Sequence, residues 1–280
     1  MEESKEEYYE IGLFHRFLKP SDEWLELTAR ARKNEQALGS RFPTREEQRQ
    51  AACRLIAGEN PALQEALGTA EETEAFIAAC LALRGPSAEG PRRKLAREQA
   101  RLIGYLHAGA RLPDSAEAVL DLWECANRLE PRWYDEMPAH FRTPSDHVPF
   151  TRVGFKVVPP GMETARPEEI PGLVARLLGW LQRREVSPEA LAMTEHHLFV
   201  YIHPFPDGNG HTARLFSCGL LAKDYSAPTL TAFLREIWKD RPLLCRSILA
   251  DRARGGDLCP ACCRLFRLLI RGQEQLLGDG

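Results

Sequence analysis

His203-Pro-Phe-Pro-Asp-Gly-Asn-Gly-His-Thr-Ala-Arg214 is the stretch whose reading decides this chain. It brings a titratable imidazole, an aromatic ring, a carboxylate, a Gly-Asn-Gly turn and a guanidinium into one short run. Pro204, Pro206, Gly208 and Gly210 forbid an unbroken helix, so the stretch reads as a loop. The residues before it, from Ser187-Pro188-Glu189 to Ile202, carry a helix-start signal with Ser as N-cap and Pro in first position. Thr212 to Leu221 is mostly apolar and resumes as a helix. The loop therefore joins one helix C-terminus to the next helix N-terminus. A glycine-rich turn entering a helix offers backbone N–H groups without intrahelical acceptors, and the helix dipole adds partial positive charge. Such a turn binds phosphate.

Working outward, Glu168 to Arg184 is an amphipathic helix with Leu173, Leu177, Leu178 and Leu181 inward. Val153 to Val158 is β-branched and aromatic, ends at Pro159-Pro160, and reads as a short β-hairpin. Further towards the N-terminus, helices are expected over Ser115–Leu129, Ala96–Ala108 and Glu71–Leu83. Two more begin at Thr44-Arg45-Glu46-Glu47, with capping-box spacing, and at Pro20-Ser21-Asp22-Glu23. Arg84 to Lys94 reads as a surface loop, and Arg92-Arg93-Lys94 as solvated charge or a partner-binding patch. After Pro228 about three helices are expected. The fold class is mainly α, a helical bundle with a short hairpin.

The quoted stretch resembles the signature of Fic-domain proteins (the Fic/Doc, or Fido, family), whose pattern reads His-x-Phe-x-Asp/Glu-Gly-Asn-Gly-Arg-x-x-Arg. His211 stands where the family usually has its first arginine. Ala139-His-Phe-Arg142, the expected hairpin, Pro159-Pro160 and the helix pair before the loop follow in the family's order, so the likeness covers about residues 97–223. It implies an N-terminal helical extension over 1–95 and a core over 96–225, with a flap at about 146–160 and the signature loop at 203–214. C-terminal helices over 226–280 pack on that core.

The resemblance further implies a protein adenylyltransferase that moves AMP from ATP to a Ser, Thr or Tyr hydroxyl of a target protein. His203 would be the general base, a task suited to an imidazole near its ordinary pKa. Phe205 would anchor the loop and Asp207 would bind Mg²⁺. Gly208, Asn209, Gly210 and His211 would lie along the phosphates, and Arg214 would pair with the outer phosphate as a fork-shaped donor. Phe155 and Lys156 would grip the target at the flap by strand addition. An inhibitory glutamate that covers the second arginine is common in the family, and Leu55-Ile-Ala-Gly-Glu59-Asn60 is the nearest match here. Glu59 is then either that glutamate or part of a polar helix end. Replacing an arginine by His211 removes a charge-assisted hydrogen bond of about 1.5–3 kcal/mol. It keeps alternatives open: another donor, the reverse de-AMPylation reaction, or a non-catalytic nucleotide-binding regulatory module. A toxin–antitoxin or effector setting fits the family, with a homodimer or an antitoxin-like partner.

Composition bounds the rest. The 280 residues carry a net charge of -3 and 44% hydrophobic residues. That gives no electrostatic case for nucleic acid or an anionic membrane as partner. No apolar run approaches the roughly 20 residues of a membrane span. The acidic start carries no visible secretory signal, and eight scattered cysteines suit a reducing compartment. A cytoplasmic location is expected, with export as an effector still open. Cys259, Cys262 and Cys263 are half of a zinc knuckle or small buried thiols. Glu195-His196-His197 lacks metal-protease spacing and reads as loop support. Arg142 either orients the flap or contacts nucleotide, and the five tryptophans read as packing.

Overall fold

The computed structural model describes residues 9–11, 13, 16–58, 70–82, 90–127, 139–146, 164–183, 186–254 and 256–278. The expected hairpin, Phe155, Lys156, Glu59 and Trp133 lie outside them. Among the described residues the protein is mainly α-helical.

Helix α1 spans Asp22–Arg41. Ser21 caps it by accepting a hydrogen bond from Trp24 N at 3.2 Å, and Asp22 and Glu23 place negative charge against the dipole. Its buried residues Trp24, Ala31 and Leu38 recur every seven positions, a single stripe. That stripe packs against α10, Cys259–Gly278, where Trp24 meets Phe266 edge-on at 4.9 Å. Helix α2 spans Arg45–Gly58 and starts with the capping box expected there. Glu47 N donates to Thr44 Oγ1, and Thr44 N donates back to Glu47 Oε2 at 2.8 Å.

Helices α3 (Ala70–Ala82) and α4 (Gly90–His107) follow. The residues from Gly90 to Lys94 are helical, not loop; Gly90-Pro91 opens α4, because proline suits a first turn where no N–H acceptor is needed. Ala52, Cys53, Ile56, Phe76, Cys80, Ala100 and Ile103 from α2, α3 and α4 form a core of their own. The expected division between residues 95 and 96 falls inside the continuous α4.

Helix α5 spans Ala116–Asn127 and buries Val119, Leu122, Trp123 and Ala126 on the face its periodicity marks. A 3-10 turn at Pro167–Glu169 leads into α6, Ile170–Leu181. Helix α7, Pro188–Ile202, is capped by Ser187, whose hydroxyl accepts from Ala190 N at 3.2 Å. Nearly every residue of α7 is buried, so it is the central helix of the bundle. It packs along α8, Asn209–Leu221, and the main core gathers around that pair.

Two helices, not three, follow Pro228 among the described residues. These are α9 (Ala227–Arg254), whose second residue is that proline, and α10. A small three-stranded sheet has no counterpart in the sequence reading. Strand β1 (Tyr9–Glu10) runs antiparallel to β2 (Arg16–Leu18), and β2 runs parallel to β3 (Gly256–Asp257). Strands of two or three residues are too short to show an alternating pattern.

Candidate functional site: the loop between α7 and α8

Helix α7 ends at His203, a C-cap in the left-handed conformation (φ 53°, ψ 58°). Its N–H still donates to Phe199 O at 2.9 Å. The left-handed turn ends the helix and points the chain away towards Pro204. Helix α8 begins at Asn209, three residues earlier than its apolar pattern suggested, with Gly208 as N-cap at φ 81°. A Cβ on Gly208 would lie 2.5 Å from Asn127 Oδ1, so both conformation and space require glycine there. Gly210 is tolerated because it sits in the first turn of α8, where glycine costs little.

Between the two caps the loop is locked from inside. Phe205 is fully buried, and its ring lies 5.5 Å from Trp123, 5.7 Å from Phe141 and 6.2 Å from Phe199. The Asn209 side chain closes the loop on itself. Phe205 N donates to its Oδ1 at 2.9 Å, and its Nδ2 donates to Phe205 O at 2.8 Å. The Asn209 amide is therefore spent on shaping the loop, and only its backbone N–H remains for an anion. Asp207 is exposed; its Oδ1 accepts from Gly208 N at 2.7 Å and its carbonyl accepts from Trp123 Nε1 at 2.9 Å.

Two residues outside the signature hold it in place. Arg142 N donates to Pro204 O at 2.8 Å, and its Nε donates to His203 O at 2.6 Å. Its Nη2 donates to Thr164 Oγ1 and to Ala165 O. Through these bonds Arg142 shapes the His203 turn, which is neither of the two roles that its sequence context suggests. Asn127, the last residue of α5, donates from Nδ2 to Trp123 O at 2.9 Å and to Thr212 Oγ1 at 3.2 Å. It thus fixes α8 against α5 just beneath Gly208.

The charge at the inner end of the loop is paired. Arg214, one turn into α8 and 5% exposed, makes a two-pronged ion pair with Glu98 of α4. Its Nε lies 2.5 Å from Oε1 and its Nη2 3.1 Å from Oε2. Trp238 Nε1 donates to the same Oε2 at 2.7 Å, and His211 Nε2 stands 3.9 Å from it. Burial alone would raise the Glu98 carboxyl. Arg214, then His211, with hydrogen bonds from Arg214 and Trp238, outweigh it and hold Glu98 below its ordinary value. Glu98 is the residue that the sequence reading missed. It sits 116 positions from Arg214 in a helix without a motif, and no local pattern could have found it.

Behind Arg214 lies a second buried polar cluster. Ser217 Oγ is 2.6 Å from Glu195 Oε2, 2.8 Å from Ala213 O and 3.3 Å from His196 Nδ1. Burial pushes Glu195 well above its ordinary value and pulls His196 down to about 3, so the His196 imidazole is neutral near pH 7. This cluster staples α7 to α8.

The cysteines group differently from a metal site. Cys259 and Cys263 stand with sulfurs 3.8 Å apart, and Cys262 faces Thr194. Among the described residues no group of three or more His, Cys, Asp or Glu side chains could hold one metal ion. None of the described helices is long and apolar enough to cross a membrane.

Fold and loop together define a helical domain that presents an imidazole and a glycine-capped helix start across one short, internally locked turn. Residues 140–221 match the model of the Fic/DOC family. A protein adenylyltransferase Fic of Culex quinquefasciatus is 36% identical over 76 residues, and one of Nematostella vectensis is 32% identical over 92. These segments are 26% and 32% of this chain and only 14% and 18% of those relatives. A Fic family protein from Desulfovibrio desulfuricans has the same fold. Its crystal structure matches with a TM-score of 0.61 at 18% identity, over 92% of this chain and 75% of that one.

Proposed function

We propose that this protein transfers AMP from ATP to a hydroxyl side chain of a target protein. The observation that carries the reading is the rigid relation of base and anion site. His203 and Gly208, both left-handed caps, are separated only by a loop locked through Phe205, Asn209 and Arg142. The backbone that carries the imidazole is thereby fixed close in sequence to a helix start whose first N–H groups have no intrahelical acceptor.

In this reading His203 accepts the proton of the target hydroxyl. The oxygen attacks the α-phosphorus, the bond to the β-phosphate oxygen breaks, and pyrophosphate leaves. The backbone N–H groups of Asn209 and Gly210 donate to phosphate oxygens, and Arg214 neutralises the departing charge. Fixed donors and fixed distances supply most of the rate gain in such transfers. Mg²⁺ would neutralise charge on the phosphates. Asp207 fits a share in holding it, being an exposed carboxylate at the loop's edge with one oxygen used by Gly208 N. Magnesium is characteristically held by one or two carboxylates together with substrate phosphates.

The pairing of Arg214 with Glu98 supports a restrained resting state. Nε and Nη2 of the guanidinium are taken by a buried carboxylate, so an outer phosphate reaches those two donors only by displacing Glu98. Glu59 lies outside the described residues; among those residues the carboxylate on Arg214 is Glu98.

The test is incubation with Mg²⁺, a lysate, and ATP labelled at the α- or the γ-phosphate, beside His203→Ala. Label on protein from the α-position alone, lost in the variant, is the expected result. Label from neither position would reject ATP as donor, and transfer undiminished in His203→Ala would reject the base.

A further inference from the structure

A large groove among the described residues lies away from the signature loop. It has a volume of about 860 Å³ and lies where α2, α4, α6, α7, α8 and α9 meet. It includes Pro188 at the start of α7, whereas His203 ends that helix; at roughly 1.5 Å per residue the two are about 22 Å apart. The groove is therefore a separate place on the molecule, at the opposite end of the central helix pair.

Its chemistry is two-layered. The floor is apolar, with Ile103, Leu112, Val186 and Leu191 among its residues. Among the described residues the charged groups lining it are Arg45, Arg49, Arg183 and Lys223, with His107, and no carboxylate. Arg49 is taken up by Glu74. Arg45, His107 and Lys223 are exposed, and their side chains have no hydrogen-bond or ion-pair partner among the described residues. Glu189, next to Pro188, is buried and occupied by Arg32 and Tyr225, so it does not offset the rim.

A cation at a helix C-terminus often serves only its own dipole, and His107, Arg183 and Lys223 lie at the ends of α4, α6 and α8. The starts of α2, α7 and α9 converge on the same groove. Three helix starts against three helix ends leave little net dipole, so the side chains set the sign.

We propose that this groove docks an acidic protein segment interrupted by apolar residues, supplied by a partner protein. The cations sit on four different helices or their ends around the rim rather than converging on one point. That layout matches several separated carboxylates, not a single phosphate group. The apolar floor requires side chains as well as charge, since desolvating it with a purely ionic ligand gains nothing.

Fluorescence anisotropy of the full chain with a fluorescein-labelled peptide of repeated Glu-Glu-Leu units tests this. Binding should weaken about tenfold or more in Arg45→Glu/Lys223→Glu and fall with added salt. Both residues are exposed, and equal melting temperatures of variant and parent establish that the fold is kept. A Gln-Gln-Leu peptide that binds equally well would overturn the role of charge. A Glu-Glu-Ser peptide that binds equally well would overturn the role of the floor. Displacement by inorganic phosphate or ATP at comparable concentration would make it a phosphate site instead, and no binding at low salt would remove the proposal. None of these readings depends on AMP transfer.

Discussion

Replacing Glu98 by Gln should loosen the protein and tighten its hold on nucleotide at once. The variant keeps the shape but removes the charge that faces Arg214. The partners are 6% and 8% exposed as side chains, so solvent cannot replace the lost carboxylate. Breaking one half of such a buried pair costs about 3–5 kcal/mol. The lower end applies, because the amide oxygen, set where Oε2 stands, still accepts from Arg214 Nη2 and Trp238 Nε1, and only Arg214 Nε loses its acceptor. At about 3 kcal/mol the melting temperature of the nucleotide-free protein should fall by roughly 6–12 °C. An outer phosphate restores the missing anion. If half of the loss is returned on binding, affinity for Mg-ATP rises about tenfold. Differential scanning fluorimetry with and without a non-hydrolysable ATP analogue, with calorimetric titration, measures both. A lower melting temperature with weaker binding would refute the competition and make Glu98 the residue that presents Arg214 to phosphate. An unchanged melting temperature would refute the pair itself.

Other expectations follow from the same geometry. His203→Ala should retain nucleotide affinity, since the phosphate donors lie at 209–214, while transfer drops about 10²–10⁴-fold in a single-turnover assay. Gly208→Ala should cost about 3 kcal/mol in urea unfolding, from the left-handed φ and the clash with Asn127; adding Asn127→Ala should return only the clash part. His211→Arg should tighten nucleotide binding by about 1.5–3 kcal/mol in titration, most clearly in the Glu98→Gln background where no carboxylate competes. Glu195 and His196 give a pH prediction of defined sign. Glu195 is raised above 4.5, so its contribution to stability is full below that value and is lost as pH rises. His196 is lowered from 6.5 to about 3, so its contribution is full above 6.5 and is lost as pH falls. Between about 4.5 and 6.5 the two slopes oppose. Glu195→Gln leaves His196 alone, and stability should then fall by up to about 1.4 kcal/mol per pH unit on acidification, steeper than in the parent. Equal slopes in denaturant titrations across that window would reject the assignment.

What the sequence by itself determined was local. Ser21, the Thr44–Glu47 box and the Ser187-Pro188 start work within one helical turn, and each is found where it was read. The leucines of α6 and the apolar face of α5 declare themselves by helical period. The signature loop is legible because its proline and glycine positions restrict the backbone residue by residue. The tertiary structure decided the rest, because it depends on groups far apart in the chain. Nothing near Glu98 says that it will meet Arg214, and nothing near Arg142 says that it will hold the His203 carbonyl. Asn209 looks like a phosphate ligand in sequence, yet its amide is used to close the loop. The β1–β2–β3 sheet joins the two ends of the chain through strands too short to carry a pattern. Periodicity and capping are set by neighbours within about four residues, whereas the partner of a buried charge is chosen only when the core closes around it.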